Sequence, residues 1–198
     1  MTSIAFFLNE IANYQVPIPK VCSKKILSNS TKEKLLSYQE SHVVKLITIL
    51  LNYYIAIDAS DTGIGKTYIA AAACKELGKK PIIVCPKSLI FNWKSILSYM
   101  GVVEYDIVNY ETLKNGKTYR NNKYKSRKKS PFLDIVDPDP DDPNKSVYLW
   151  HVPKDAILIF DESHKCKDSR NDNGKLLMST KQLIEKKNTC TFIVCYYM

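Results

Sequence analysis

The stretch Ala59-Ser60-Asp61-Thr62-Gly63-Ile64-Gly65-Lys66-Thr67 limits what this chain can fold into more than any other. An apolar run, Tyr54-Ile55-Ala56-Ile57, reads as a short buried strand before it. Tyr68-Ile69-Ala70-Ala71-Ala72-Ala73 reads as a helix after it. Strand, glycine-containing loop, Gly-Lys-Thr and helix is the layout of a phosphate-binding loop. Gly63 and Gly65 let the backbone curl so that successive N–H groups face phosphate oxygens. The helix N-terminus adds about half a positive charge aimed at the same place. Lys66 is placed to reach β- and γ-phosphates, and the Thr67 hydroxyl to help hold Mg²⁺. The usual pattern starts with glycine five residues before the Gly-Lys pair. Ser60 stands there instead, a small residue that still fits.

A chain of 198 residues can bury a sizeable core and is expected to form one domain with an extension. Its 29 basic residues against 20 acidic give a net charge of +9, a surplus that suits polyanions such as nucleic acid. A merely solvated basic surface fits that charge equally well. The six cysteines form no C-x-x-C pair and no zinc-finger spacing, which favours reduced structural thiols and an intracellular setting, cytoplasmic or nuclear. The first ten residues lack a basic n-region, and their apolar core is too short for a signal peptide. No apolar run has the length and freedom from charge of a membrane span, so no membrane partner is expected.

Residues 1–35 read as an N-terminal extension, with a short amphipathic helix over 3–14 and loop over 20–30. Residues 36–198 read as the main domain. A helix is predicted over 37–53, with Ser37 as cap and Glu40 completing a capping box. Gln39, one helix and one strand before the phosphate loop, has an amide that can donate and accept at once, as reading an adenine edge requires. After the loop's helix, Pro81-Ile82-Ile83-Val84-Cys85 reads as a parallel-type strand. Ser88 is then the expected cap of a helix reaching Met100, Ile107-Val108 a third strand, and Tyr110–Leu113 a short helix. Strands alternating with helices imply an α/β fold with a parallel sheet.

Residues 115–150 break that rhythm. Lys117 to Lys129 holds seven Lys or Arg, and Asp134 to Asp142 holds five Asp among prolines, so an exposed, mobile charged insertion is expected. The basic half could touch phosphates, pair with the acidic half, or stay solvated. Order returns at Ala156-Ile157-Leu158-Ile159-Phe160, a buried strand ending in Asp161-Glu162-Ser163-His164. Two carboxylates at the C-terminal edge of a parallel strand stand where open α/β sheets bind ligands. Asp161 would ligate Mg²⁺ and Glu162 would activate the attacking water. A basic amphipathic helix is predicted over 174–187 and a strand over 189–194.

Taken in order, these segments resemble the first RecA-like domain of superfamily-two helicases and translocases, Swi/Snf-type and related viral proteins among them. The resemblance covers about residues 36–194. Tyr38-Gln39 resembles the adenine-reading glutamine motif, and Asp61–Thr67 the family's phosphate loop. Val84–Trp93 is similar to the strand, Pro and Asn-Trp helix bordering the nucleic-acid path. Asn109–Leu113 resembles the Tyr-Glu segment, and Asp161-Glu162-Ser163-His164 the Asp-Glu-x-His box. The resemblance implies a phosphate-loop ATPase fold with helices on both faces, ATP and Mg²⁺ as cofactors, and nucleic acid, DNA before RNA, as partner. It implies that Gln39, Asp61, Thr62, Gly63, Ile64, Gly65, Lys66 and Thr67 hold ATP, and that Thr67 and Asp161 hold the metal. Lys66, Asp161, Glu162 and His164 would carry catalysis, with His164 linking the ATP site to the nucleic-acid track. Lys87 and Ser88 would lie near the bound strand. Two departures stand out. The strand near the C-terminus does not run into Ser-Ala-Thr or Thr-Gly-Thr, and the second RecA-like lobe, with its arginine finger, is missing. The expected function is the ATP-binding N-terminal lobe of a nucleic-acid-dependent ATPase, a helicase or DNA translocase, that binds Mg-ATP and nucleic acid but turns ATP over poorly alone. The alternatives are a non-catalytic nucleotide- or nucleic-acid-binding remnant and an unrelated phosphate-loop kinase.

Overall fold

The computed structural model describes residues 27–120, 123–136, 147–166, 168, 170–185 and 191–195. The predicted helix over 3–14 lies outside them.

Five strands form one parallel sheet in the order β1-β9-β8-β2-β3. They are β1 (Ile55–Asp58), β2 (Lys80–Cys85), β3 (Asp106–Asn109), β8 (Ala156–Phe160) and β9 (Thr191–Cys195). Register aligns their C-terminal ends. Asp58 faces Cys195, Val194 faces Phe160, Phe160 faces Val84, and Cys85 faces Asn109. Every residue of β8 is buried, so both faces of that strand are covered. This is why its sequence is continuous Ala-Ile-Leu-Ile-Phe rather than alternating. Each of its large side chains contributes roughly 1.5–3 kcal/mol by leaving water. The α/β expectation holds.

The connecting helices are α1 (Asn29–Lys32), α2 (Ser37–Tyr53), α3 (Lys66–Leu77), α4 (Ile90–Met100) and α5 (Tyr110–Leu113). Helix α2 has the predicted bounds, and Val43, Leu46, Ile47 and Leu50 form its buried stripe. Its cap differs from the prediction. Leu36 occupies the N-cap, and the Gln39 side chain, not that of Glu40, closes back on the Leu36 N–H at 3.0 Å. Helix α3 is enclosed between α2 and α4. Ile69 through Cys74 are all buried, and the four consecutive alanines let the neighbouring helices approach closely. Tyr54 is not in β1. It caps α2 in the left-handed conformation, at φ 59°. Residues 29 and 30, expected in a loop, belong to α1, which is tied to α3 through Glu76 by Ser28 and Thr31 hydroxyls at 2.6 Å each.

The region 115–150 differs most from expectation. Its described residues form two antiparallel hairpins, β4 (Lys117–Arg120) with β5 (Lys123–Lys129) and β6 (Leu133–Val136) with β7 (Val147–Trp150). Leu133, Tyr119, Tyr148 and Trp150 join the main core, and Trp150 packs edge-on against Phe160 at 6.1 Å. Sparse aromatic anchors here offset a composition that suggests disorder. Downstream, the predicted helix over 174–187 is two helices, α6 (Asp172–Met178) and α7 (Lys181–Glu185). Asn171 caps α6 through the Gly174 N–H, and the Ser179 and Thr180 hydroxyls bond back to Leu176 and Leu177 carbonyls where α6 ends. Such local side-chain bonds compete with helix continuation. No helix among the described residues is long and apolar enough to cross a membrane.

Candidate nucleotide site

The loop between β1 and α3 curls around its own lysine. Lys66 is buried, and its ammonium donates to the Ser60 carbonyl and, at 2.9 Å, to the Asp61 carbonyl. Gly63 and Gly65 both take positive φ, +84° and +83°, as the curl requires. Asp61, Thr62 and Gly63 are exposed, while Ile64, Gly65 and Thr67 are half-buried at the start of α3. Ser60, the departure from the usual glycine, has work that glycine could not do. Its hydroxyl and its N–H both donate to Asp58 Oδ1, and Asp58 Oδ2 lies 3.2 Å from His42 Nε2 on α2. Sequence reasoning missed Asp58 and His42. The signal was a carboxylate ending an otherwise apolar strand.

Gln39 is buried beside this loop. Its amide N–H donates to the Ile64 carbonyl at 2.8 Å, and its oxygen accepts from Leu36. Among the described residues, one N–H and one lone pair stay available. A Cβ on Gly65 would collide with the Gln39 amide nitrogen. Next to this contact lies a cavity of about 420 Å³ lined by Leu36, Gln39, Tyr68 and Tyr99 among others. Its aromatic walls meet edge to face, with ring centroids 6.1 Å apart.

Across the sheet, Asp161 directly follows β8 and is buried. Its N–H completes the ladder to the Val84 carbonyl at 2.8 Å, which fixes it at the C-terminal edge. Trp93 Nε1 donates to Oδ2 at 2.8 Å, and the Glu162 N–H donates to Oδ1 at 2.9 Å. The Tyr110 hydroxyl donates to the Asp161 carbonyl at 2.8 Å. Burial raises the Asp161 pKa, opposed by the Trp93 and Glu162 N–H bonds and by the charges of Lys66 and His164. Glu162 is raised by burial first and by the Asp161 charge second. Glu162 also sits at φ 55°, which costs a non-glycine residue of order 1–3 kcal/mol and recurs at functional sites. His164 Nδ1 lies 2.9 Å from Glu162 Oε2, close enough to ion-pair but off the hydrogen-bond line.

The resemblance sets Asn92-Trp93 beside a nucleic-acid path. The structure instead buries Trp93 completely and turns its indole to Asp161. Trp93 and Tyr110 are therefore supports of the carboxylate pair that sequence reasoning did not identify. The available signal was an indole on a buried helical stripe, which needs an N–H partner. Lys87 and Ser88 are exposed on a 3₁₀ turn, Lys87–Leu89, directly after β2. Ser88 does not cap α4, because the 3₁₀ turn comes first and Leu89 holds the cap position.

No cluster of three or more His, Cys, Asp or Glu among the described residues could hold a metal by itself. The donor set suits Mg²⁺, which takes one or two protein oxygens and completes its shell with water and substrate phosphates. Thr67 and Asp161 are the candidates.

Comparison with known proteins agrees with this geometry. The profile of a family described as "Type III restriction enzyme, res subunit" matches residues 32–194. The chain is 56% identical over 186 residues to a protein of Acanthamoeba polyphaga mimivirus provisionally named an ATP-dependent RNA helicase. That match takes in 94% of this chain and 34% of the relative, so the chain spans about a third of the relative's length.

Proposed function

This chain belongs to the type III restriction enzyme res subunit family of helicase domains, and we propose that it is the ATP-binding lobe of a nucleic-acid-dependent ATPase. The observation that carries the reading is the convergence of two distant segments on one sheet edge. The Lys66 charge, held in the loop after β1, acts on both Asp161 and Glu162 after β8. A phosphate chain cradled by the loop would lie along the line between them.

In this reading the N–H groups of Asp61 to Gly65 and the Lys66 ammonium bind the phosphates. Mg²⁺ on Thr67 and Asp161 would neutralise charge on the β- and γ-phosphates. Trp93 and the Glu162 N–H hold the Asp161 carboxylate in one orientation. Glu162 accepts a proton from the attacking water, and His164 orients Glu162. The adenine lies in the Leu36–Tyr68–Tyr99 cavity, with the free amide valences of Gln39 toward it. Lys87 and Ser88, two and three residues past the end of β2, meet the backbone of a bound strand. The resemblance to Swi/Snf-type proteins suggested DNA, whereas the mimivirus relative is named for RNA. We therefore propose nucleic acid without choosing the sugar.

The test is phosphate release from ATP by the 198-residue chain, with and without DNA or RNA. Slow release that needs Mg²⁺ and is abolished by Glu162→Gln supports the reading. Release unaffected by both Lys66→Ala and Glu162→Gln contradicts it.

A further inference from the structure

The β4–β5 hairpin is a concentrated cationic surface outside the nucleotide site. From Lys117 to Lys129 it carries seven Lys or Arg and no acidic residue. Without those seven, the chain would hold 22 basic residues against 20 acidic, so the hairpin accounts for nearly all of the surplus. Its register sets like charges opposite one another at Lys117 and Lys129. Directly opposed like charges destabilise a hairpin.

The fold holds it in place by other means. Thr118 Oγ1 donates to the Asp106 carboxylate on β3. The Tyr119 hydroxyl donates to Asn109 Oδ1 at 2.5 Å. Both anchors are buried, Thr118 at 2% and Tyr119 at 6% exposure. Lys117, Arg127, Lys128 and Lys129 face solvent. Lys129 is neutralised by Asp134 at 2.8 Å. Among the described residues no acid lies within ion-pair distance of Lys117, Arg127 or Lys128. The charge of Lys128 acts on Asp106 from beyond that distance, as does that of Lys94. Asn109 ends β3 beside Cys85, two residues before Lys87. The Tyr119 anchor thus lies at the sheet edge from which Lys87 and Ser88 emerge, and the Thr118 anchor at the opposite end of β3.

We propose that this hairpin is a second phosphate-backbone contact, extending the nucleic-acid surface of the Lys87–Ser88 turn past β3. Self-repelling cations, fixed by buried anchors and with few ion-pair partners among the described residues, gain most from a polyanion that bridges them. The contact is to backbone and carries no sequence preference. This inference rests on the proposed nucleic-acid-dependent function.

The experiment compares the 198-residue chain with the triple variant Lys117→Gln, Arg127→Gln, Lys128→Gln. Binding to labelled single-stranded and duplex oligonucleotides, each made as DNA and as RNA, is measured across a salt series. Each lost phosphate contact lowers the slope of log affinity against log salt by about 0.7 for single strands and 0.9 for duplex. The expected result is a slope lower by roughly 2–3 in the variant, with an unchanged melting temperature. Equal slopes for the chain and its variant, with Lys87→Ala still weakening binding, would overturn the hairpin contact alone. No binding by the unaltered chain would overturn both this inference and the function it rests on. A lower melting temperature with an unchanged slope would show that the cations serve an internal pairing instead, and would overturn the contact.

Discussion

Trp93 and Asp161 are 68 positions apart in sequence, yet the indole Nε1 donates to the buried carboxylate at 2.8 Å. The bond fixes one oxygen of the group proposed to meet Mg²⁺, and it runs from α4, the helix that follows the Lys87–Ser88 turn. Trp93→Phe keeps an aromatic ring but deletes the donor, leaving a buried carboxylate short of a partner. Loss of a hydrogen bond to a charged group is expected to cost about 1.5–3 kcal/mol, with a further loss for the smaller ring. Urea unfolding should show a lower midpoint, and a double-mutant cycle with Asp161→Ala should return a coupling of about 1 kcal/mol or more.

Gly65 is constrained twice, by φ +83° and by the Gln39 amide nitrogen where a Cβ would stand. Gly65→Ala is expected to cost about 1–2 kcal/mol from conformation alone and to displace Gln39 as well. Adding Gln39→Ala should remove the collision but not the strained φ. Thermal melts of the two single variants and the double should therefore show partial, not complete, recovery relative to Gly65→Ala.

Asp106 links β3 to the basic hairpin through Thr118, and burial raises its pKa despite that hydrogen bond. The folded chain thus keeps this proton to higher pH than the unfolded chain does. The stability it contributes is fully present below the ordinary aspartate value of about 3.9 and is lost as pH rises through the raised folded value. Asp106→Asn still accepts from Thr118 and cannot titrate. Melting temperatures measured from pH 4 upward should fall less steeply in this variant than in the parent chain.

Cys74, Cys85 and Cys166 are buried free thiols. Burial pushes Cys74 and Cys166 up to about 12 and raises Cys85 as well. Thiolates, not thiols, are alkylated. Iodoacetamide at pH 8 should leave these three untouched in the native chain and modify all three in denaturant, as read by peptide mass spectrometry.

What the sequence showed and what it hid follow a physical division. Local patterns were legible. The glycine loop, the continuous apolar run of β8 and the apolar stripe of α2 each declare themselves within a few residues. Relationships across the sheet were not legible. Nothing near Trp93 in sequence indicates Asp161, and nothing near Asp58 indicates His42, on the preceding helix, as its partner. The charged region misled for a related reason. Its composition reads as disorder, but a few aromatics, Tyr119, Tyr148 and Trp150, suffice to dock two hairpins once a core is present. The α2 cap lies one residue before the predicted one because Gln39, proposed to read adenine, also closes the helix end.

The most direct test of the account is calorimetric titration of the 198-residue chain with ATP, in the presence and absence of Mg²⁺. The account predicts one site per chain, tighter with Mg²⁺, and lost in Lys66→Ala while that variant still melts cooperatively. Binding that survives Lys66→Ala and Asp161→Asn unchanged, or no binding by the folded parent chain, would contradict it.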